Sequence, residues 1–297
     1  LAANLFTVYM ICFRNCGMSK TACIYLAALA ILDTLCLFWG ALLDLSLYWL
    51  QEYPFWNKPP WCGLLTVMEY GSMFSSIWIV VIFTMERYLV LRSTHARHHC
   101  SQLKTTLRIT LSVILVSHLI AVPAYWIHLS VKANFTIASQ TKELPSCTYN
   151  DDIYSTVIVW IHTFIQGGIP FVLIIIFNSL IGHQLYKASS LFTKDQRKTI
   201  TGITTRSHIT KTILILFTVS ITFVVLTLPR FVTYCILRTL FNTPMHKRDD
   251  YGKLINVFAD VAIMMQYLNS AINFILYCVV SKRFRQESWA LLTCTQN

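Results

Sequence analysis

Two opposite charges stand in stretches that otherwise suit lipid: Glu69 within LLTVMEYGSMFSS and Arg230 within ITFVVLTLPRFVTYCIL. An arginine at the middle of a membrane helix costs at least ~2.5 kcal/mol on insertion scales, so a partner or a water-filled cavity has to compensate it. A carboxylate can hold an ammonium and a guanidinium can fork onto a carboxylate. Glu69 and Arg230 could therefore pair, or grip the two ends of a zwitterion. A purely structural ion pair competes with both readings, because buried pairs often add little net stability. A third polar centre is Asp33, a carboxylate in a hydrocarbon run and functional by default. Asn269 and Asn273 lie four apart on one helical face with Ser270 adjacent, and Ser76 sits ~16 Å above Arg87. These oxygens could hold a sodium ion, or form a hydrogen-bonded network with water around an ionised or protonated Asp33.

Helices must position these groups. The chain has 297 residues, 55% hydrophobic and 12% charged, against roughly 25% charged in a soluble domain. Apolar runs fall at about 1–13, 21–48, 63–91, 107–129, 154–185, 212–240 and 257–280. All but the first reach the ~20 residues a spanning helix needs. Leu1 is not an initiator methionine, so the first helix is expected to be truncated and the true N-terminus missing. The expected fold is an all-α membrane protein, a seven-transmembrane helix bundle forming one domain over 1–297. A short amphipathic eighth helix follows at about 282–292.

The net charge of +11 is spread between the apolar runs, not gathered in a patch, which argues against nucleic acid and for membrane lipid as the partner. Sixteen Lys and Arg lie in one set of loops with the tail and seven in the other. The positive-inside rule then places the N-terminus outside and the C-terminus in the cytoplasm. Asn134-Phe135-Thr136 is a glycosylation sequon in a predicted outer loop. Cys62 and Cys147 face the oxidising side and are expected to pair; two free surface thiols are the alternative.

Helical rise supplies a ruler. Glu69 is eighteen residues outward of Arg87, and Arg230 nineteen outward of Lys211, so both stand ~27–28 Å above the cytosolic ends. Spacing on the inward faces adds Tyr70, Met73, His162, Gln166, Tyr234, Ile263 and Tyr267 as candidate lining of a small-ligand pocket. Each alone is as well explained by packing. His95, His98 and His99 read as a solvated basic loop in preference to a metal site.

Met85-Glu86-Arg87-Tyr88 ends the third run twenty-five residues after Cys62. With Leu29-Ala30-Ile31-Leu32-Asp33, the stretch Leu268 to Tyr277, Ser281-Lys282-Arg283-Phe284-Arg285, Asn4, Trp56, Pro123, Pro170 and Pro229, the chain resembles the rhodopsin-like class of G-protein-coupled receptors. Ser76-Ile77-Trp78-Ile79, Trp160-Ile161-His162, Phe177-Asn178-Ser179, Leu228-Pro229-Arg230 and Ala271-Ile272-Asn273-Phe274 resemble the orphan-receptor 139 and 142 branch. The resemblance implies a plasma-membrane receptor that senses aromatic amino acids and couples to a heterotrimeric G protein, chiefly through Gq/11. It also implies an allosteric sodium ion at the Asp33 cluster and coupling through Glu86, Arg87, Tyr88, His95 and Tyr277. A short peptide is the alternative ligand.

Thr227, Phe274, Asn178 and Val113 depart from the class pattern, and Thr227 also from the branch. Thr227 puts in doubt a switch in which ligand pushes an indole. Basic residues open the sixth run, so Arg87 is expected to pair with Glu86. Cys294, past the amphipathic tail, is a candidate for palmitoylation. A transporter or channel is the competing class, but internal repeats and matched broken helices are not visible. With no nucleophile and base pair at plausible depth, the chain does not read as an enzyme.

Overall fold

Lipid offers no hydrogen bonds, so a spanning segment must satisfy its backbone internally, and for an open chain of apolar runs that means α-helix. The computed structural model describes residues 1–14, 16–43, 55–93, 102–137, 140–150, 152–190, 200–239 and 251–293. For 131–137, 140–146, 188–190 and 200–212 the description is of the backbone alone. In chain order come α1 (Ala2–Phe13), α2 (Lys20–Cys36) with a π turn at Leu37–Leu42, α3 (Trp61–Arg92), and α4 (Leu103–Ala121) with a 3-10 turn at Val122–Trp126. A hairpin of β1 (His128–Ile137) and β2 (Gln140–Tyr149) follows. Then come α5 (Ile153–Thr163), a π turn at Phe164–Gly168, α6 (Ile169–Ser190), α7 (Ile200–Thr239), α8 (Leu254–Ala271), α9 (Asn273–Val280) and α10 (Lys282–Leu292).

Five of these stretches are long and apolar enough to cross a bilayer: Lys20–Leu42, Trp61–Arg92, Leu103–Trp126, Ile153–Lys187 and Ile213–Thr239. Together α8 and α9 make a sixth, bent by 54°. Helix α1, with 12 residues, is the short first member of a seven-helix arrangement and packs on α2 and α9. The bend in the seventh span comes without a proline: Ile272 leaves the helix at φ −88° and ψ −8°, and Asn273 turns its amide onto Asp33. Lys282–Leu292 forms the amphipathic eighth helix, capped by the Ser281 hydroxyl accepting from the Phe284 N–H.

Several run boundaries are corrected. The fourth run was expected to stay helical to 129, but Pro123 has no N–H to continue the ladder. The helix tightens into the 3-10 turn there, and His128 and Leu129 already belong to β1. The sixth run starts at Ile200 rather than 212 and the seventh at Leu254 rather than 257, because apolar composition marks only the part of a helix that lies in lipid. The second run reaches Leu42 in its π turn, and 44–50 lie outside the described residues.

The hairpin adds a strand pair to the helical bundle that apolar patterning gave no reason to expect. Cys147 on β2, opposite Ser130 in the register, forms a disulfide with Cys62 at the outer end of α3, Cα–Cα 5.8 Å. Beside it the Thr66 hydroxyl meets the His128 Nδ1 at 3.2 Å, and burial lowers the pKa of that imidazole. The Ser130 hydroxyl donates to the Asn57 carbonyl. The base of the hairpin is thus tied to α3. The Asn134 sequon lies on β1 near the turn, opposite Glu143.

Close helix approach depends on Gly63: a Cβ there would lie 2.6 Å from the Tyr125 carbonyl oxygen and 2.7 Å from its ring. Around Gly182 nothing lies within 4 Å. Gly63→Ala is therefore expected to destabilise the folded protein by ~1–3 kcal/mol through overpacking. Gly182→Ala should stabilise it by up to ~1 kcal/mol through helix propensity; melting of the detergent-solubilised protein separates the two.

Asp152 caps α5, its carboxylate accepting from the Ser155 N–H at 2.6 Å, and that bond holds its pKa below the usual value. With the folded pKa depressed, the cap's contribution is complete above the unfolded carboxylate pKa, near ~4, and fades as pH falls through the folded one. Melting curves of wild type and Asp152→Ala should differ at neutral pH and converge below about pH 4.

Candidate functional site

Arg230 and Glu69 do reach the same level of the bundle, and both end beside α8. Arg230 donates to the side-chain oxygen of Gln266, while the Glu69 carboxylate lies 3.5 Å from the hydroxyl of Tyr267. Consecutive helical residues point about 100° apart, so Gln266 and Tyr267 draw the two charges to different flanks of the seventh span. The direct pairing that equal depth allowed is replaced by these separate contacts. Tyr267 also donates to the Gly40 carbonyl at 3.0 Å. Gly40 makes this approach possible, since a Cβ there would lie 2.7 Å from both the Glu69 Oε1 and the Tyr267 hydroxyl.

Arg230 lines a small cavity, about 50 Å³ of room for water centres, between spans three, five, six and seven. Of the expected lining, Tyr70, Gln166 and Tyr234 join it there. Met73 lies directly beneath, buried at 6% exposure, and takes the amide N–H groups of both Gln166 and Gln266 on its sulfur. The remaining wall is Val159, Thr163, Gly167, Phe171, Thr227 and Phe231. Among the described residues no carboxylate lines it.

Four expected residues stand elsewhere. Glu69 and Tyr267 face the Gly40 side. Ile263 is half-buried and outside the lining. His162 is held by α4: its Nε2 lies 3.1 Å from the Ile120 carbonyl, and its ring packs on Tyr70 and Phe74. Gln266 is the amide member of the lining that helical spacing on the inward faces missed, along with Phe171 and Phe231 among the apolar ones. Its signal was available, as an amide one turn from Ser270 in an apolar run, where a polar side chain needs a reason.

Above the cavity Arg238 of α7 donates to the Tyr149 hydroxyl of β2 at 3.1 Å and lies over the rings of Tyr149 and Tyr234. The hairpin therefore touches the sixth span as well as the third.

Deeper in the bundle Asp33, 1% exposed, accepts from the Ser76 hydroxyl at 2.7 Å and from the Asn273 amide. Ser270 is buried beside them, its carbonyl taking the Asn4 amide at 2.7 Å. Asn269 is half-buried and is not one of these donors to Asp33. The Asp33 carboxylate with the Ser76 hydroxyl oxygen beside it is a hard-donor set of the kind that suits a small cation, although Asn273 faces it with its NH2 and would have to turn its oxygen to join. Among the described residues no group of three or more His, Cys, Asp or Glu is placed to hold a metal.

At the inner end Arg87, 8% exposed, is paired with Glu86, 4% exposed. It also donates to the Thr21 hydroxyl at 3.2 Å. Tyr88 stacks near Phe177 and accepts from Arg92 at 2.8 Å. Tyr277 is fully buried against Phe284 of α10. His95, His98, His99 and Cys294 lie outside the described residues.

Comparison with known proteins agrees with this arrangement. The model of the "7 transmembrane receptor (rhodopsin family)" matches residues 3–277. The mouse (Mus musculus) "Probable G-protein coupled receptor 142" is 30% identical over 219 residues, 74% of this chain. The rat (Rattus norvegicus) "Neuromedin-U receptor 2" is 26% identical over 281 residues, 94% of this chain and 68% of the rat protein; its human (Homo sapiens) counterpart is 25% identical over 279 residues, 94% and 65%. The chain spans about half, 51%, of the length of the mouse relative. With seven helices in order, an Arg87–Glu86 pair at the inner end of the third, and a match over nearly the whole chain, the protein belongs to the rhodopsin-like seven-transmembrane receptor family.

Proposed function

We propose that this multi-pass membrane protein is a G-protein-coupled receptor whose ligand is small, carries a carboxylate, and engages Arg230. The observation that carries the reading is a guanidinium inside the bundle, in a cavity whose lining holds no acid and whose nearest partner is the neutral Gln266. A cation at that depth with no acid among the described residues of the lining favours an anion brought by the ligand. Phe171, Phe231 and Tyr234 on the same wall suit an aromatic side chain, so an aromatic amino acid fits this chemistry best. Glu69, on the other flank of α8, would receive a more distant ammonium. The match to receptors named for neuromedin-U over 94% of this chain favours a second reading, in which the carboxylate is the end of a short peptide. The G protein is heterotrimeric and of the Gq/11 type on this reading.

Ligand can act only through its difference in affinity for two states. Thr227 leaves no indole to push; its hydroxyl is tied to the Phe223 carbonyl at 2.6 Å. An aromatic path stands in for it: Phe231 meets Phe171 and Phe171 meets Phe223, each with centroids 5.7 Å apart. A ligand drawing in Arg230 and Phe231 would repack this path. The sixth span would pivot near Pro229, and its inner end would swing out to release Arg87 from Glu86 and expose Tyr277. A sodium ion at Asp33, Ser76 and Ser270, with Asn269 and Asn273 adjoining, would favour the packed arrangement by supplying charge that holds those spans together.

Calcium mobilisation in cells tests the site. Arg230→Ala should raise the half-maximal concentration of an active amino acid about a hundredfold, the cost of removing one partner of a buried charge pair. Glu69→Ala should raise it less, and undiminished response in both variants would discard the site. Phe223→Leu keeps apolar volume but removes the ring. It should at least halve the maximal response and move the half-maximal concentration by less than about threefold, because the path alters the switch and not the binding contact.

A further inference from the structure

The cavity at Arg230 is lopsided in its hydrogen-bonding chemistry. A guanidinium carries five N–H donors and no acceptor, and the Gln266 oxygen receives one of them. That bond fixes the Gln266 amide: its oxygen must face Arg230, so its NH2 faces away, onto the Met73 sulfur. The NH2 of Gln166 is turned onto the same sulfur from the fifth span. A thioether is among the weakest acceptors a protein offers, yet two amides converge on it, and Gln266 is only 5% exposed. Arg230, Gln166 and Gln266 all line the one cavity, with no acid beside them.

We infer that Gln166 and Gln266 are specificity-determining donors for a ligand carboxylate, an inference that rests on the Arg230 reading proposed above. They rest on Met73 and turn to the second carboxylate oxygen once the first engages Arg230. A carboxylate brings about four acceptor sites and no donor, which answers this donor set. A carboxamide brings one oxygen and two N–H groups of its own, and those would meet donors. The discrimination is therefore built partly on repulsion. Met73 is a placeholder acceptor, weak enough to be displaced.

The test uses the full chain, purified in detergent, with L-tryptophan and L-tryptophanamide as probes and calorimetry as the readout. Wild type should bind the acid at least about tenfold more tightly than the amide, the scale of one charge-assisted hydrogen bond. Gln166→Leu and Gln266→Leu should each cut that ratio about tenfold, weakening the acid and relieving the repulsion of the amide, and retained amide binding also shows that the variants are folded. Met73→Leu conserves volume and removes the resident acceptor, so acid binding should tighten. Gln166→Glu and Gln266→Glu, at nearly unchanged volume, should turn the preference toward the amide. If Arg230→Ala abolishes the preference while the leucine and glutamate variants all keep the wild-type ratio, the glutamine assignment is overturned and the Arg230 reading stands. A wild type that does not prefer the acid overturns both.

Discussion

A bilayer supplies no hydrogen-bond partners to the chain that crosses it, and nearly every feature of this protein follows from how that shortage is met. Backbone groups close on themselves in helices. Buried hydroxyls such as Ser72, Ser75, Thr84 and Ser220 turn back onto the carbonyl four residues earlier in their own helix, whereas longer polar side chains reach partners on other spans. Asp33 finds Ser76 and Asn273, Asn4 finds the Ser270 carbonyl, and Arg87 finds Glu86 and Thr21. These contacts join spans one, two, three and seven down the middle of the bundle, while the aliphatic and aromatic core fills the space around them. In a medium where apolar surface drives no association, such contacts and close packing decide which helices meet.

Arg230 is a charged group inside the bundle that meets a neutral partner. Its partner is an amide, not a carboxylate, and the surrounding wall supplies none. Thr227 lines the same cavity, and the Phe231, Phe171 and Phe223 rings form a path toward the inner half of the sixth span. The seventh span bends by 54° without a proline, and at the bend the Asn273 amide donates to Asp33.

The outer surface is organised by a second set of ties. The disulfide and the Thr66–His128 contact fasten the hairpin to the third span. Arg238 fastens the same hairpin to the sixth. The hairpin thus touches both walls of the cavity it overlies, the helix that carries Tyr70 and the proline-bearing helix that carries Arg230 and Tyr234.

Much of this was legible in residue order. Run lengths specified spans, lysine and arginine asymmetry specified which ends face the cytoplasm, and cysteine placement specified a cross-link, because hydrophobic thickness, charge and redox compartment act on composition directly. The rise per helical residue even placed Glu69 and Arg230 at one depth. It could not say on which flank of the seventh span each would lie, since depth depends on counting along one helix whereas azimuth depends on how several helices rotate against each other. Only the tertiary structure therefore parted the two charges between Tyr267 and Gln266 and moved His162 onto the fourth span. It also raised a hairpin from a stretch with no hydrophobic period to betray it. Contacts between distant segments are set by packing of the whole bundle, and no local window of sequence contains that information.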